Sequence, residues 1–177
     1  LVGTNFVPAS EQEVTLSWRN VTSVELTVSA IDLIKDIRPP AQRFVNGDWV
    51  QYVPLDAGRV VRRWTFETKD KGDHAPGSSD VRISPRLPVG AYVITARTRF
   101  ITSRQLLLVS DISILTQSID ARMKIYVANV ITGEPIARAR VHVIHWGEKL
   151  TTYDAETNAN GLADVKTDGE YGVTLIE

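Results

Sequence analysis

From Glu13 to Arg19 apolar and polar residues alternate, Val14, Leu16 and Trp18 against Thr15, Ser17 and Arg19. This period of two is what a strand with one buried face requires. It returns over 24–30, where Val24, Leu26, Val28 and Ala30 alternate with Glu25, Thr27 and Ser29. Asn20 interrupts the two runs, and a hairpin turning through 19–22 is expected. Residues 34–50 hold no sustained period: Ile34 to Ile37 fits one helical turn, and Arg38, Pro39 and Pro40 stop anything regular. Val60 to Thr68, with Trp64 and Phe66, reads as a strand, and the polar stretch 69–80, rich in turn formers, as an exposed loop. An extended pattern resumes over 81–83 and, after the reversal at 87–90, over 91–96 and on to Phe100. Gln105 to Val109 is a continuous apolar run suited to a strand covered on both faces.

It passes through Ser110 and Asp111 into Ile112 with no flexible linker, so a domain boundary with a stiff junction is placed there, giving domains 1–111 and 112–177. The second half predicts strands near 112–117, 123–130, 140–146, 149–155, 162–166 and 171–176. Gly133–Pro135 turns one pair, and the Asn160–Gly161 turn, where a positive φ is expected, opens another. Together the two halves describe an all-β chain of two tandem immunoglobulin-like sandwiches. A seven-stranded sandwich ordinarily takes about 100 residues, so the second is expected to be incomplete. Its unpaired edge is expected to invite dimerisation or strand exchange between copies.

Composition narrows the classes of function. The 177 residues are 43% hydrophobic and 23% charged, with no Cys. Disulfides, thiolate metal sites and a Cys nucleophile are therefore excluded. The net charge of −1 conceals a mild split, with +2 over 1–111 (14 basic, 12 acidic) and −3 over 112–177 (6 basic, 9 acidic). Neither half carries the basic excess of a nucleic-acid footprint. No apolar run approaches the roughly 18 to 20 residues of a membrane span. With no initiator Met and no leader pattern, the chain reads as an excised or processed piece.

No residues assemble a nucleophile, a base and an oxyanion site, so no catalytic, cofactor or metal residue is assigned and the chain is read as no enzyme. His142 and His145 are an odd number apart on a predicted strand and fall on opposite faces, unsuited to one metal. His74 stands near Asp70, Asp73 and Asp80 in polar sequence with nothing apolar to desolvate it. Asp154, Glu156, Asn158 and Asn160 offer oxygens at alternate positions but lack the glycine and terminal glutamate of a calcium loop. No Gly-x-Ser-x-Gly turn is present. Asn20-Val21-Thr22 matches a glycosylation acceptor and is read as a turn. Arg59, Arg62, Arg63, Arg97, Arg99 and Arg104 form either a solvated strand face or a docking surface for an adjacent domain. Trp18 and Trp64 are expected in the core, with Trp49 and Trp146 near strand ends. Lys124 alternates with Met123 and Ile125 and should point outward, away from any internal amide cross-link.

The succession Arg19-Asn20-Val21, LPVGAY at 87–92, LLVSDI at 107–112, YVANVITGEP at 126–135, ARV at 139–141 and NANGL at 158–162 resembles the N-terminal macroglobulin domains of bacterial alpha-2-macroglobulins over nearly the whole chain. The resemblance implies a parent that traps proteases through a cleaved bait segment and, in many members, an internal thioester. The thioester motif, Cys-x-Glu-Gln, has no counterpart here, so the implied role is scaffold. The implied partners are other domains of the same parent and, through the full-length parent, proteases; the implied location is the periplasm or cell envelope. The competing expectation is a tandem-sandwich module of a surface adhesin that binds through loops or exposed aromatics.

Overall fold

The computed structural model describes residues 4–36, 48–146, 150–167 and 172–176, and the chain divides into two compact units, Leu1–Ser110 and Asp111–Glu177. In the first unit β1 (Thr4–Phe6), β7 (Thr102–Val109), β6 (Gly90–Arg97), β3 (Ser23–Ile31) and β4 (Val60–Glu67) form a five-stranded sheet in that order. It is antiparallel except for the parallel β1–β7 pair. A two-stranded sheet of β2 (Glu13–Arg19) and β5 (Pro76–Arg82) covers one face. Val14, Leu16 and Val81 from the small sheet meet Val24, Leu26, Val28, Ile94, Leu107 and Val109 from the large one in a single core. The alternation in sequence is thus the alternation of faces, each inward set being apolar.

Two expectations are corrected. β2 and β3 do not form a hairpin: β2 pairs with β5, and β3 with β4 and β6. Both strands carry one apolar face toward the same core, but from opposite sheets, and Asn20 at φ 58° turns the chain from one layer to the other. The second correction falls on 69–80, whose last five residues belong to β5. One of its poor strand formers, Gly77, is set by what it faces. Trp18 lies flat on its cross-strand partner Gly77, where a Cβ would stand 2.4 Å from the indole Nε1. Only a residue without a side chain leaves room for the ring. Trp18 also packs against Phe66, with ring centroids 5.8 Å apart, and both it and Trp64 are half-buried against the core. The short β1 carries no readable pattern and was not anticipated.

Polar groups enter this core only with partners. The fully buried Gln12 donates from Nε2 to the Leu87 carbonyl (3.0 Å) and accepts the Leu87 N–H at Oε1 (2.7 Å), fixing the β5–β6 connection. Tyr92 donates its hydroxyl to the Pro88 carbonyl at 2.9 Å, in the manner of the tyrosine corner of immunoglobulin-like domains.

In the second unit β12 (Leu162–Lys166), β9 (Arg122–Asn129) and β8 (Ile112–Ile119) make one three-stranded sheet, and β11 (Leu150–Glu156), β10 (Arg140–Trp146) and β13 (Gly172–Ile176) another. Met123, Ile125, Val127, Val141, Val143, Ala163 and Val165 fill the space between them. Two turns lock the layers together. Asn129 accepts the Ile131 and Thr132 amides at Oδ1, and Gly133 at φ 74° donates to the Asn129 carbonyl. The buried Thr157 donates its hydroxyl to the Ile136 carbonyl (2.6 Å) and accepts the Ala139 N–H (2.9 Å). Gly161, at φ 71°, presses so closely on β9 that a Cβ would lie 2.4 Å from the Val127 carbonyl oxygen and 2.9 Å from Pro135.

Gly161→Ala therefore combines an unfavourable backbone region with a clash against main chain, and is expected to cost about 3 kcal/mol in urea unfolding. Gly133→Ala, at a similar φ but facing open space, should cost only about 1 kcal/mol. Burial raises the Tyr92 phenol above its ordinary value of 10.0. Its protonated form is then favoured in the folded state. That contribution is full below the unfolded pKa and is lost as pH rises past about 10. Tyr92→Phe should lose about 1 kcal/mol at neutral pH and show a weaker alkaline decline in stability, read from unfolding curves across pH 8–11.

Candidate functional site

The outward face of the five-stranded sheet is divided between a covered and an open part. The connection between β3 and β4 contains α1 (Leu33–Asp36) and two 3₁₀ turns, Asp48–Tyr52 and Ala57–Arg59. Arg104 on β7 donates to the carbonyls of Gln51 (3.0 Å) and Val53 (2.9 Å), while the Gln51 side chain returns a bond to the Arg104 carbonyl (3.0 Å). Val50, Val53, Val93 and Ser29 are buried. At the other end of this connection Arg59 pairs with the buried Asp36, whose carboxylate also accepts the Asp32 amide. The Asp36 hydrogen bond is what chiefly raises the Arg59 guanidinium above its ordinary value. The Lys35 side-chain hydrogen bond, more than the amides that Asp32 also accepts, lowers the Asp32 carboxyl.

The open part lies toward the β6–β7 turn. Cross-strand rows place Thr65, Glu25, Arg97 and Thr102 side by side. A shallow depression of about 330 Å³ is lined by Ser23, Glu25, Thr65, Arg97, Thr98 and Arg99. The turn Thr98–Ile101 stands beside it and is held by one hydroxyl: Thr98 Oγ1 accepts the amides of Phe100 (3.2 Å) and Ile101 (3.0 Å), and Thr98 N–H donates to the Ile101 carbonyl (2.8 Å). So ordered, it presents Phe100, 85% exposed, and Ile101, 67% exposed. The Arg99 guanidinium lies over the Phe100 ring at 5.3 Å. An aromatic, a branched aliphatic and a cation on a rigid tip beside a polar hollow suit contact with another protein surface. They do not assemble a nucleophile with a base.

The six arginines do not act together. Arg59 and Arg104 are tied into the β3–β4 connection, and Arg62 lies on the inward face with its guanidinium 5.8 Å from the Trp64 ring. Arg63, Arg97 and Arg99 are exposed. His74 and Asp70 come together around Asn20, which donates to the His74 ring (3.0 Å to Nδ1) and receives the His74 amide at Oδ1. Asp70 accepts the amides of Asn20 and Gly72, and Asp73 that of Ala75. The cluster closes a turn, and it also occupies the side chain of the glycosylation-like Asn20. Asp80 lies apart on β5, accepting from Thr15 at 2.7 Å. His142 pairs across strands with Asp154 at 2.6 Å. Asn158 Oδ1 is taken by the Asn160 and Leu162 amides, and Lys124 points outward between Gln117 and Asp164. The side chains of Trp49, His145 and Trp146 lie outside the described residues. Among the described residues no group of three or more His, Asp or Glu is placed to hold a metal ion. The exposed Phe100 tip was missed in the sequence, where its apolar residues look like a continuation of β6.

No protein-family model matches the sequence, and no curated protein does. Solved structures do. A crystal structure of native alpha-2-macroglobulin from Escherichia coli spanning domains MG0-NIE-MG1 aligns with 93% of this chain at a TM-score of 0.66 and 16% identity. The fold is that of alpha-2-macroglobulin domains. A shorter fragment of the E. coli protein, spanning NIE-MG1, aligns with 92% of the chain at a TM-score of 0.64 and 13% identity, and 86% of that fragment is covered. The chain spans 57% of the three-domain fragment. At such identities the macroglobulin-like likeness is one of backbone, and the side chains above are this chain's own.

Separate duties for the arginines predict separate costs. Arg104→Ala should destabilise the macroglobulin-like first unit by about 2 kcal/mol, because it releases two carbonyls and the packed turn above β7. Arg97→Ala and Phe100→Ala, both on exposed surface, should change stability by less than about 0.5 kcal/mol. Thermal unfolding of the three variants checks the division.

Proposed function

We propose that the chain is a two-domain scaffold segment of a bacterial alpha-2-macroglobulin-type protease inhibitor. In this role it carries no reactive centre and is not an enzyme; it holds the parent's domains in place by shape and by exposed surface such as the β6–β7 tip. The observation that carries the proposal is the backbone likeness, over more than nine-tenths of the chain, to multidomain fragments of native E. coli alpha-2-macroglobulin. The residue pattern points the same way, since YVANVITGEP and NANGL fall on the two turns that lock the second unit. Protease trapping and an extracytoplasmic location belong to the parent in this proposal. With no Cys in the chain, a thioester, where the parent has one, lies elsewhere in it.

The sequence of the parent beyond Glu177 is the direct test. Further sandwich domains leading to a bait segment or a Cys-x-Glu-Gln motif support the proposal; repeats ending in a surface anchor would instead favour an adhesin. The isolated chain should leave the activity of trypsin-like and elastase-like proteases unchanged on a protein substrate, even in large molar excess. Stoichiometric inhibition in that assay would overturn the scaffold role.

A further inference from the structure

Several charges of this chain are paired where the fold brings them together. Arg59 holds Asp36, Arg82 holds Glu11 and Glu13, and Arg122 holds Asp164 through two bonds of 3.1 and 2.9 Å. The open face of the five-stranded sheet departs from this habit. Cross-strand partners share a face, so Arg63 stands in a row with Thr27, Thr95 and Arg104, and Arg97 in the neighbouring row with Thr65, Glu25 and Thr102. Glu67 follows Thr65 on the same face of β4, and Arg99 belongs to the turn at the end of β6. Among the described residues the strands of this open part and its turn carry the guanidiniums of Arg63, Arg97, Arg99 and Arg104 against the carboxylates of Glu25 and Glu67, in a chain whose net charge is −1.

Among the described residues none of these guanidiniums meets a carboxylate. Arg104 gives its bonds to the carbonyls of Gln51 and Val53, Arg99 lies over the Phe100 ring, and Arg63 and Arg97 are exposed. Even Glu25, the register partner of Arg97, makes no ion pair with it. A guanidinium stays charged whatever surrounds it, so this face offers unneutralised positive charge to an anionic group of another molecule. At its rim stand side chains of the opposite kind. Phe100 and Ile101 are largely exposed on a turn that Thr98 holds from within. A backbone already fixed removes much of the ordering cost that a loose loop would bring to an association. The hollow beside them adds the exposed Ser23 and Thr65 hydroxyls to Arg97 and Arg99, donors suited to a carboxylate.

We propose that this face docks an acidic protein segment, whose carboxylates seat among Arg63, Arg97 and Arg99 while an apolar side chain between them lies on Phe100 and Ile101. The unpaired guanidiniums decide the sign of the partner, and Glu25 decides its class. A nucleic acid laid across Arg97 brings an unbroken row of phosphates against the Glu25 carboxylate. A protein segment carries its carboxylates at intervals, and sets a neutral residue or a main-chain N–H opposite Glu25. Arginine and an aromatic ring, brought together at the tip, are residue types enriched where proteins bind one another. The inference adds the chemistry of a partner to the scaffold role proposed above, and rests on that role only for where such a segment belongs.

Backbone amide shifts of the 177-residue chain, followed by NMR during titration with the acetylated and amidated peptide Glu-Leu-Glu-Leu-Glu, read the site directly. At about 20 mM salt, where exposed charges are little screened, shifts are expected over 97–102 and around Arg63. They should saturate with a Kd of about 1 mM or tighter. Lys-Leu-Lys-Leu-Lys should move none of these amides. Raising the salt to about 0.5 M should weaken binding about tenfold or more. Arg97→Ala and Phe100→Ala, both at exposed positions that leave the fold intact by circular dichroism, should each weaken it at least about fivefold. No shift at the tip, an equal response to both peptides, or an affinity indifferent to salt or to either variant would overturn the proposal. A short oligothymidylate that shifts these amides where the acidic peptide does not would overturn it equally, and give the face to nucleic acid. The titration reads the surface of this chain alone, so its failure leaves the parent sequence and the protease assay to decide the scaffold role.

Discussion

Covering a wide sheet with a narrow one is the problem on which the first unit is built. Five strands present two faces, and only two strands are available to shield the inner one. The shield succeeds because one of its residues is very large where its neighbour is absent. Trp18 spreads across the space that Gly77 leaves empty and reaches Phe66 on the opposite layer. The outer face is closed over β7 by the turn that Arg104 holds. Charged residues on β4 and open hydroxyls near the β6–β7 turn are then the natural content of what remains uncovered.

This arrangement explains how far the sequence could be read. Alternation identifies a strand and its buried face whenever a single face is apolar, which is why β2, β3, β4, β6, β9 and β12 are visible in it. Alternation does not say which sheet a strand joins, and the β2–β3 hairpin was misassigned for that reason. β5 escaped because its Gly77 answers to the indole opposite and not to strand propensity. Gln12 leaves no trace in any periodicity, although both ends of its amide are used in the core. The turns of the second unit were legible, since a glycine forced to positive φ and an asparagine capping its own turn are local necessities.

The functional surface was less legible than the fold, and for a physical reason. Clusters of titratable groups can be named from their spacing, whereas the meaning of an apolar side chain depends on its exposure. Phe100 and Leu115 look like any strand residue until the fold is known to leave them in water. The histidine and aspartate groupings, conspicuous in sequence, resolve into turn closure around Asn20 and a cross-strand pair at His142.

The two turns of the second unit differ in what they allow. Thr157 is held by main-chain bonds at both ends of its hydroxyl, and Gly161 sits where even a Cβ would strike the Val127 carbonyl and Pro135. At the other turn Asn129 closes the loop from its own side, and Val130, Ile131 and Gly133 face open solvent. One corner is thus closed to added bulk at Gly161, while the other, held by the same few bonds to Asn129, leaves Val130 and Ile131 open to exchange of their side chains without disturbing the core beneath.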